Sequence, residues 1–350
     1  MQPAGCSRRD GARGAALCRS AGAGRVYRGC VAVPAGECPL GREGPLCGLR
    51  AVAYFPEGAG KALYAAGHAG GGRLQYRVHG RDFSLLFTKN AQGSVILYRW
   101  KGRELLQRPI ALNFWRAPTD NDTAAGMELA HLPFKTAGLY AKLRRAKAET
   151  DGTSVRIHAK YALPGGARAN VTYTITGDGK VEAALKWKGK AVESVPEFGL
   201  MLTLPAEYRN VAYYGMGPGE TYSDFTSGAH MGLFGFDAHT ALQPYFNPQE
   251  SGARTGVQAA AVTDAAGFGL CLAGNGFMLS ALPYTPHEVE NARRQYELPP
   301  KVKTVVRCAK GQLGVAGDNT WGAGPHAEYH VALEKGETFR FTFGGMGGNG

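Results

Sequence analysis

The chain has 350 residues, 44% of them hydrophobic, with a formal charge of +12 and an isoelectric point near 9.4. That length holds one large domain or two ordinary ones with a real core, and it contains no run of about 18 apolar residues that would span a membrane. The basic excess is spread out, with no dense Lys/Arg block and no basic helix, which argues against a nucleic-acid partner.

Residues 1–72 are Gly, Ala, Arg, Cys and Pro with almost no pattern, and Lys61 is their only lysine. Their arginines are not followed by an uninterrupted apolar stretch, so no secretory signal is read and the cytoplasm is the expected compartment. Disordered segments are usually rich in Ser, Glu and Lys and poor in Cys. This stretch has the opposite bias, and out-of-frame translation of a GC-rich gene is the preferred explanation over a disordered extension. Either way, 1–72 is expected to lack structure and to be removable without loss of folding. Five of the seven cysteines fall here, at Cys6, Cys18, Cys30, Cys38 and Cys47, with no C-x-x-C pair and His68 the only nearby histidine. Zinc therefore has little support.

Strand patterns begin at Arg73. A helix is expected only around 136–147. Val155, Ile157, Ala159 and Tyr161 alternate with polar residues, the period of a half-buried strand. Val171, Tyr173 and Ile175 lead through Gly177-Asp178-Gly179 to Val181, Ala183, Leu185 and Trp187, a hairpin with its turn chemistry in place. Phe198, Leu200, Leu202 and Leu204 form another strand, and Asp151-Gly152 and Pro164-Gly165-Gly166 mark turns. Cys271 and Cys308 read as small buried residues. Many short-spaced strands with almost no helix predict a large all-β antiparallel sandwich over 73–345, followed by a flexible tail, 346–350.

Five segments break the strand rhythm with dense polar and aromatic residues: 113–122, 214–224, 244–252, 284–292 and 317–322. Taken singly, each is an ordinary loop whose Asp, Asn and Glu side chains bond local backbone. Trp115 and Trp321, however, stand among polar neighbours. An indole beside Asp, Asn and Gly suits a sugar, whose apolar face stacks on the ring while amides and carboxylates bond its hydroxyls. Trp187, set in apolar alternation, reads instead as a core residue.

Four strings occur in order: Phe114-Trp115-Arg116-Ala117-Pro118-Thr119-Asp120-Asn121-Asp122, Tyr214-Gly215-Met216-Gly217-Pro218-Gly219-Glu220-Thr221-Tyr222, Pro248-Gln249-Glu250-Ser251-Gly252 and Gly317-Asp318-Asn319-Thr320-Trp321. Together they resemble the C-terminal region of bacterial β-galactosidases of glycoside hydrolase family two, over about 74–343. Gly219, where many relatives carry a bulkier polar residue, and the N-terminal stretch depart from the pattern. The resemblance implies a β-supersandwich of the galactose-mutarotase-like type and action on terminal β-galactosides such as lactose. It also implies a large catalytic subunit or missing N-terminal domains as partner, and an oligomer on assembly. Retaining hydrolysis by two glutamates on a (β/α)₈ barrel belongs to the part preceding this region, as do most ligands of the family's magnesium and sodium. No catalytic residue, metal ligand or cofactor is therefore expected on this chain, which is expected to be inactive alone and to expose a patch meant for its partner. Trp321 carries over as the residue stacking on sugar, with Asp318 and Asn319 beside it. Trp115, Arg116, Asp120, Asn121 and Asp122 carry over as a positioning loop by the pocket. Two rival readings are a mutarotase-like aldose epimerase, for which His287 with Glu288 or His326 with Glu328 would be acid and base, and a non-catalytic carbohydrate-binding domain.

Overall fold

The computed structural model describes residues 63–66, 74–90, 92–319 and 321–347. The first strands form an antiparallel meander of five: β1 (Leu63–Ala66), β2 (Gln75–His79), β3 (Phe83–Thr88), β4 (Ser94–Trp100) and β5 (Arg103–Glu104). Lys101 and Gly102, both at positive φ, make the two-residue turn between β4 and β5. Leu63–Ala66 corrects the expectation that 1–72 lacks structure: these four residues pair antiparallel with β2, Leu63 opposite His79 and Ala66 opposite Tyr76. The rest of that segment lies outside the described residues.

Twelve antiparallel strands make the larger sheet: β6 (Arg108–Asn113), β7 (Lys142–Thr150), β8 (Ser154–Ala162), β9 (Arg168–Thr176), β10 (Val181–Trp187), β11 (Glu197–Pro205), β12 (Asn210–Gly217), β13 (His230–Asp237), β14 (Ala253–Thr263), β15 (Gly269–Leu282), β16 (Lys303–Gln312) and β17 (Thr338–Met346). Their main path runs β13-β12-β14-β15-β17-β10-β9-β8-β7. The long β15 forks it: Gly269 to Gly274 pair with β17, while Met278 to Leu282 pair with β16, which continues to β11 and β6. Among the described residues, four short α-helices sit in the connections: α1 (Asp120–Ala124), α2 (Met127–Ala130), α3 (Leu132–Lys135) and α4 (Pro286–Asn291). Met346 still pairs with Gly269, so the last strand reaches one residue into the expected tail.

Alternation predicted the central strands because each buries one face. In β8 to β10, Val155, Ile157, Val171, Tyr173, Val181 and Leu185 point into one apolar core shared with Val78, Leu85, Phe87 and Tyr98 of the small sheet. Trp187 is buried there, as its setting suggests. The Tyr98 ring meets Phe343 edge-on at 5.5 Å, and its hydroxyl donates to Gly179 O at 2.9 Å and accepts from Gly345 N at 2.9 Å, tying the two sheets. The predicted turn at 177–179 holds: Gly179 takes φ +88 and Asp178 Oδ1 accepts from Thr176 Oγ1. Cys271 and Cys308 are buried and free.

The expected helix at 136–147 does not form. Residues 142–147 are the start of β7, paired with β8. Its Lys, Arg, Ala and Glu are good helix formers, but the register shifts between Leu143 and Arg145, and this bulge puts Leu143, Ala146 and Ala148 on the core-facing side. Packing against β8 outweighs local propensity.

A two-tier candidate site where the polar loops converge

The five irregular segments meet at one end of the large sheet and interlock. At the end of β6 the chain enters Asn113-Phe114-Trp115-Arg116, all four buried. Trp115 is 1% exposed, packed with Met127 and Leu313, and its ring N–H donates to Glu290 Oε2 at 2.9 Å. Glu290 lies on α4, where Thr285 and Glu288 form a capping box. It also accepts from His287 Nδ1 at 2.6 Å and faces Lys135 Nζ at 3.4 Å. Burial alone would raise the Glu290 carboxyl; the bonds from His287 and Trp115, with Lys135 nearby, hold it below its usual value.

Arg116, fully buried, forks onto Asp122 with Nη1 to Oδ2 at 2.5 Å and Nη2 to Oδ1 at 3.2 Å, and donates a further bond to Gly314 O at 2.9 Å. Burial works against its charge, but Asp122 more than offsets that and raises its pKa. Asp122 is also the third residue of α1 and completes a second capping box, accepting from Thr119 N at 2.7 Å.

Beneath this loop lies a second buried ion network. Arg307 of β16 donates to Glu197 Oε2 at 2.7 Å, to Glu250 Oε1 at 2.5 Å and to Ser280 Oγ at 3.0 Å. Glu197 also accepts from Asn113 Nδ2 and from Gln312 Nε2. Burial pushes the Glu197 carboxyl up, Arg307 opposes this, and the second carboxylate, Glu250, adds to the rise. The 214–224 and 244–252 segments are joined by Glu220 Oε2, which accepts from Gly252 N at 2.6 Å, and Asp224 Oδ2 accepts at 2.7 Å from Ala316 N, just before the last segment.

Above this buried tier is an exposed rim. Asp120 is bracketed by amides, accepting from Asn247 Nδ2 at 3.2 Å and Gln249 Nε2 at 3.0 Å. Asn121 Nδ2 donates to Asn319 O at 3.2 Å, linking the first loop to the last. Asn319 Oδ1 accepts from Trp321 N at 2.8 Å and from Ala323 N at 3.3 Å, an Asx-type turn. Gly322 has φ +101, and a Cβ there would lie 2.8 Å from the Ala124 carbonyl carbon, so the turn rests on the end of α1. The Trp321 indole stands out from this base, 88% exposed. Asp318 pairs with His326 Nε2 at 2.8 Å in solvent.

The structure therefore divides the residues singled out from sequence. It brings Trp321, Asn319, Asn121 and Asp120 together at the rim. Trp115, expected in a positioning loop by the pocket, is a buried prop of that loop, its N–H satisfied by Glu290. Arg116 and Asp122 are its counterparts in charge, spent on each other. The histidine–glutamate pairs weighed for an epimerase are also diverted: His287 bonds Glu290, Glu288 caps α4 and accepts from Lys303 Nζ at 2.5 Å, and His326 faces Asp318. A cavity of about 260 Å³ lies behind the Trp115 loop, lined by Ser94, Phe114, Tyr161, Tyr173, Met201 and others, away from the rim. Among the described residues no three or more His, Cys, Asp or Glu side chains gather as a metal site.

The model of the β-galactosidase small chain family matches residues 79–344, which include every strand and loop of the site. The chain belongs to the β-galactosidase small chain family. Its relatives include β-galactosidases of Streptococcus thermophilus, 32% identical over 277 residues, and Halalkalibacterium halodurans, 34% identical over 280 residues. Each alignment covers 78% of this chain but 27% of the relative, so the chain spans about a quarter of those proteins. The β-galactosidase small subunit of Latilactobacillus sakei is 27% identical over 305 residues, covering 77% of this chain and 95% of that protein. Among solved structures, a galactose mutarotase related enzyme from Lactobacillus acidophilus overlays 78% of this chain and 97% of its own, with a TM-score of 0.42 and 10% identity.

Sequence reading missed Glu197, Arg307 and Gln312 as parts of the small-chain site, and saw Glu250 only as a letter in a string. One signal was available: Arg307 sits in the apolar run Val305-Val306-Arg307-Cys308-Ala309, and an arginine buried in a sheet needs carboxylates brought to it.

Proposed function

We propose that this chain is the small-chain part of a β-galactosidase that hydrolyses terminal β-D-galactosides such as lactose, and that it supplies a sugar platform on a rigid scaffold rather than the chemistry. One observation carries the reading: the exposed Trp321 indole, anchored through Asn319 and Gly322 on α1 at the rim where the family's loops converge. The apolar face of a pyranose stacks on such a ring, with Asn121, Asp120 and Asp318 within the same rim to bond hydroxyls. The Asn319 side-chain oxygen is already engaged by backbone, so its role is to hold Trp321 rather than to bind sugar directly.

Retaining hydrolysis needs two carboxyl groups about 5 Å apart, one as nucleophile and one as acid/base. The buried carboxylates here are committed to Arg307, Arg116, Lys303 and Lys135. The pair is assigned to a large catalytic chain, with magnesium and sodium held mainly there, and the purified small chain is inactive alone.

The test is reconstitution with a large catalytic chain of the family. Activity on a chromogenic β-galactoside should appear on mixing and be absent from either chain alone. Trp321→Ala should then weaken substrate binding about tenfold, since stacking with partial desolvation is worth roughly 1 to 2 kcal/mol, while Trp321→Phe loses less and neither moves the melting temperature. Turnover by the small chain alone would overturn the assignment of chemistry. A sharp drop in melting temperature with an unchanged Michaelis constant would make Trp321 a packing residue. Weak sugar binding with no gain on mixing would mark a carbohydrate-binding domain instead.

A further inference from the structure

The main path of the large sheet, apart from the branch that ends at β6, terminates in two strands of opposite character. At one end, β7 presents Lys142, Arg144, Arg145 and Lys147, all exposed, within nine residues. Lysines and arginines on an edge are a standard defence against pairing with another chain. At the other end lies β13, with the sequence His-Met-Gly-Leu-Phe-Gly-Phe-Asp. It pairs with β12 on one side and, among the described residues, with no strand on the other. It holds no Lys, Arg or Pro. Its single carboxylate, Asp237, is at the last position and is bonded by Arg209 of its own chain. Met231 on this edge is 42% exposed, and Phe225 before it is 58% exposed.

We infer that β13 is the interaction edge for a second copy of this chain, the two β13 strands pairing antiparallel about a twofold axis so that the large sheet continues from one copy into the next. A strand edge is recognised by another free edge, backbone to backbone, and a second copy brings the same uncharged edge. The contact is isologous and closes on itself. Pairing two β7 edges would instead set rows of cations against each other, so the charged edge blocks further growth. Eight residues make a small contact, so the dimer is expected to be weak, with a dissociation constant on the order of 1 to 100 µM. The inference concerns the chain by itself and does not depend on the galactosidase reading.

The experiment is sedimentation equilibrium of the full chain from about 1 to 200 µM, bracketing that range, together with hydrogen exchange at both ends of the range. The wild type should pass from monomer to dimer. The double variant Met231→Lys/Gly235→Lys should raise the dissociation constant at least about tenfold with an unchanged melting temperature; Gly235 is exposed and free of the left-handed φ that would forbid a lysine. Lys147→Ser on β7 should leave dimerisation as it is. A wild type that stays monomeric, or a double variant that dimerises as well as wild type, would overturn the inference. Should the double variant not fold, wild-type exchange decides. Amide protection that rises with concentration in β13 and not in β7 supports the edge; protection that rises elsewhere, or nowhere, refutes it.

Discussion

Replacing Arg307 by methionine isolates the buried ion network. The side chains are of similar length, so packing is largely kept while the guanidinium is lost. Glu197 and Glu250 then share a buried space with no cation, and Ser280 loses its partner. Forcing one such carboxyl to take up a proton at pH 7, when its ordinary value is 4.5, costs about 3 to 4 kcal/mol at 1.36 kcal/mol per unit. Removing one partner of a buried ion pair costs about 3 to 5 kcal/mol by mutational experience, so the two figures agree. For a domain of this size the melting temperature should fall by roughly 8 to 15 °C. The pH dependence gives a second readout. Burial already raises the Glu197 carboxyl in the wild type, and without Arg307 it rises further. A group whose folded value is raised contributes stability that is present below its unfolded value and lost as pH rises through the folded one. The gap between variant and wild type should therefore be smaller at pH 5 than at pH 8, measured by urea denaturation at both. Adding Glu197→Gln should recover part of the loss at pH 8. A variant within about 1 kcal/mol of wild type, or a gap unchanged between the two pH values, would refute the claim that the network is a desolvated charge cluster.

Thr119→Ala removes one side of the α1 capping box and a bond to Asp122, and should cost about 1 to 2 kcal/mol in thermal or chemical denaturation. Glu290→Gln should flatten the acid limb of the stability curve: the Glu290 carboxyl is held below its usual 4.5, so its contribution is complete above that value and is lost as the pH falls through the depressed one, which melts at pH 3 to 7 would follow. Gly322→Ala puts a Cβ against the Ala124 carbonyl at a φ that disfavours side chains, and should displace the Trp321 turn. In a reconstituted enzyme it should weaken substrate binding as Trp321→Ala does, with a small effect on melting.

The sheet was readable wherever a strand buries one face. Val171, Tyr173 and Ile175 and the turn at 177–179 gave their positions through alternation and turn residues alone. At β7 the same logic failed because a bulge breaks the alternation at Leu143, leaving a composition that favours helix. The convergence of the loops was legible as strings, and the rim residues Asp120, Asn121, Asn319 and Trp321 came from them. Which indole faces solvent was not legible. Trp115 and Trp321 both stand in segments dense in Asp and Asn, and it is the distant Glu290, 175 positions away, that receives the buried ring N–H of the first. Arg307 and Glu197 were hidden for the same reason: neither has its partner nearby in sequence, and they meet only when strands 110 residues apart pair.

That separation also bears on how the chain is made. A ribosome delivers Glu197 and then Glu250 well before Arg307, so both acids emerge with no guanidinium to receive them. The last strand, β17, lies between β10 and β15, and until it arrives those two strands keep raw edges facing each other across a gap. Nascent chains that stop before β17 thus cannot close the sheet, and those that stop before Arg307 cannot neutralise its interior. Closure is a late event of high contact order, the kind that proceeds slowly and exposes the intermediate to aggregation. Synthesis rate and chaperone supply, more than intrinsic stability, should govern how much of this chain reaches its native state.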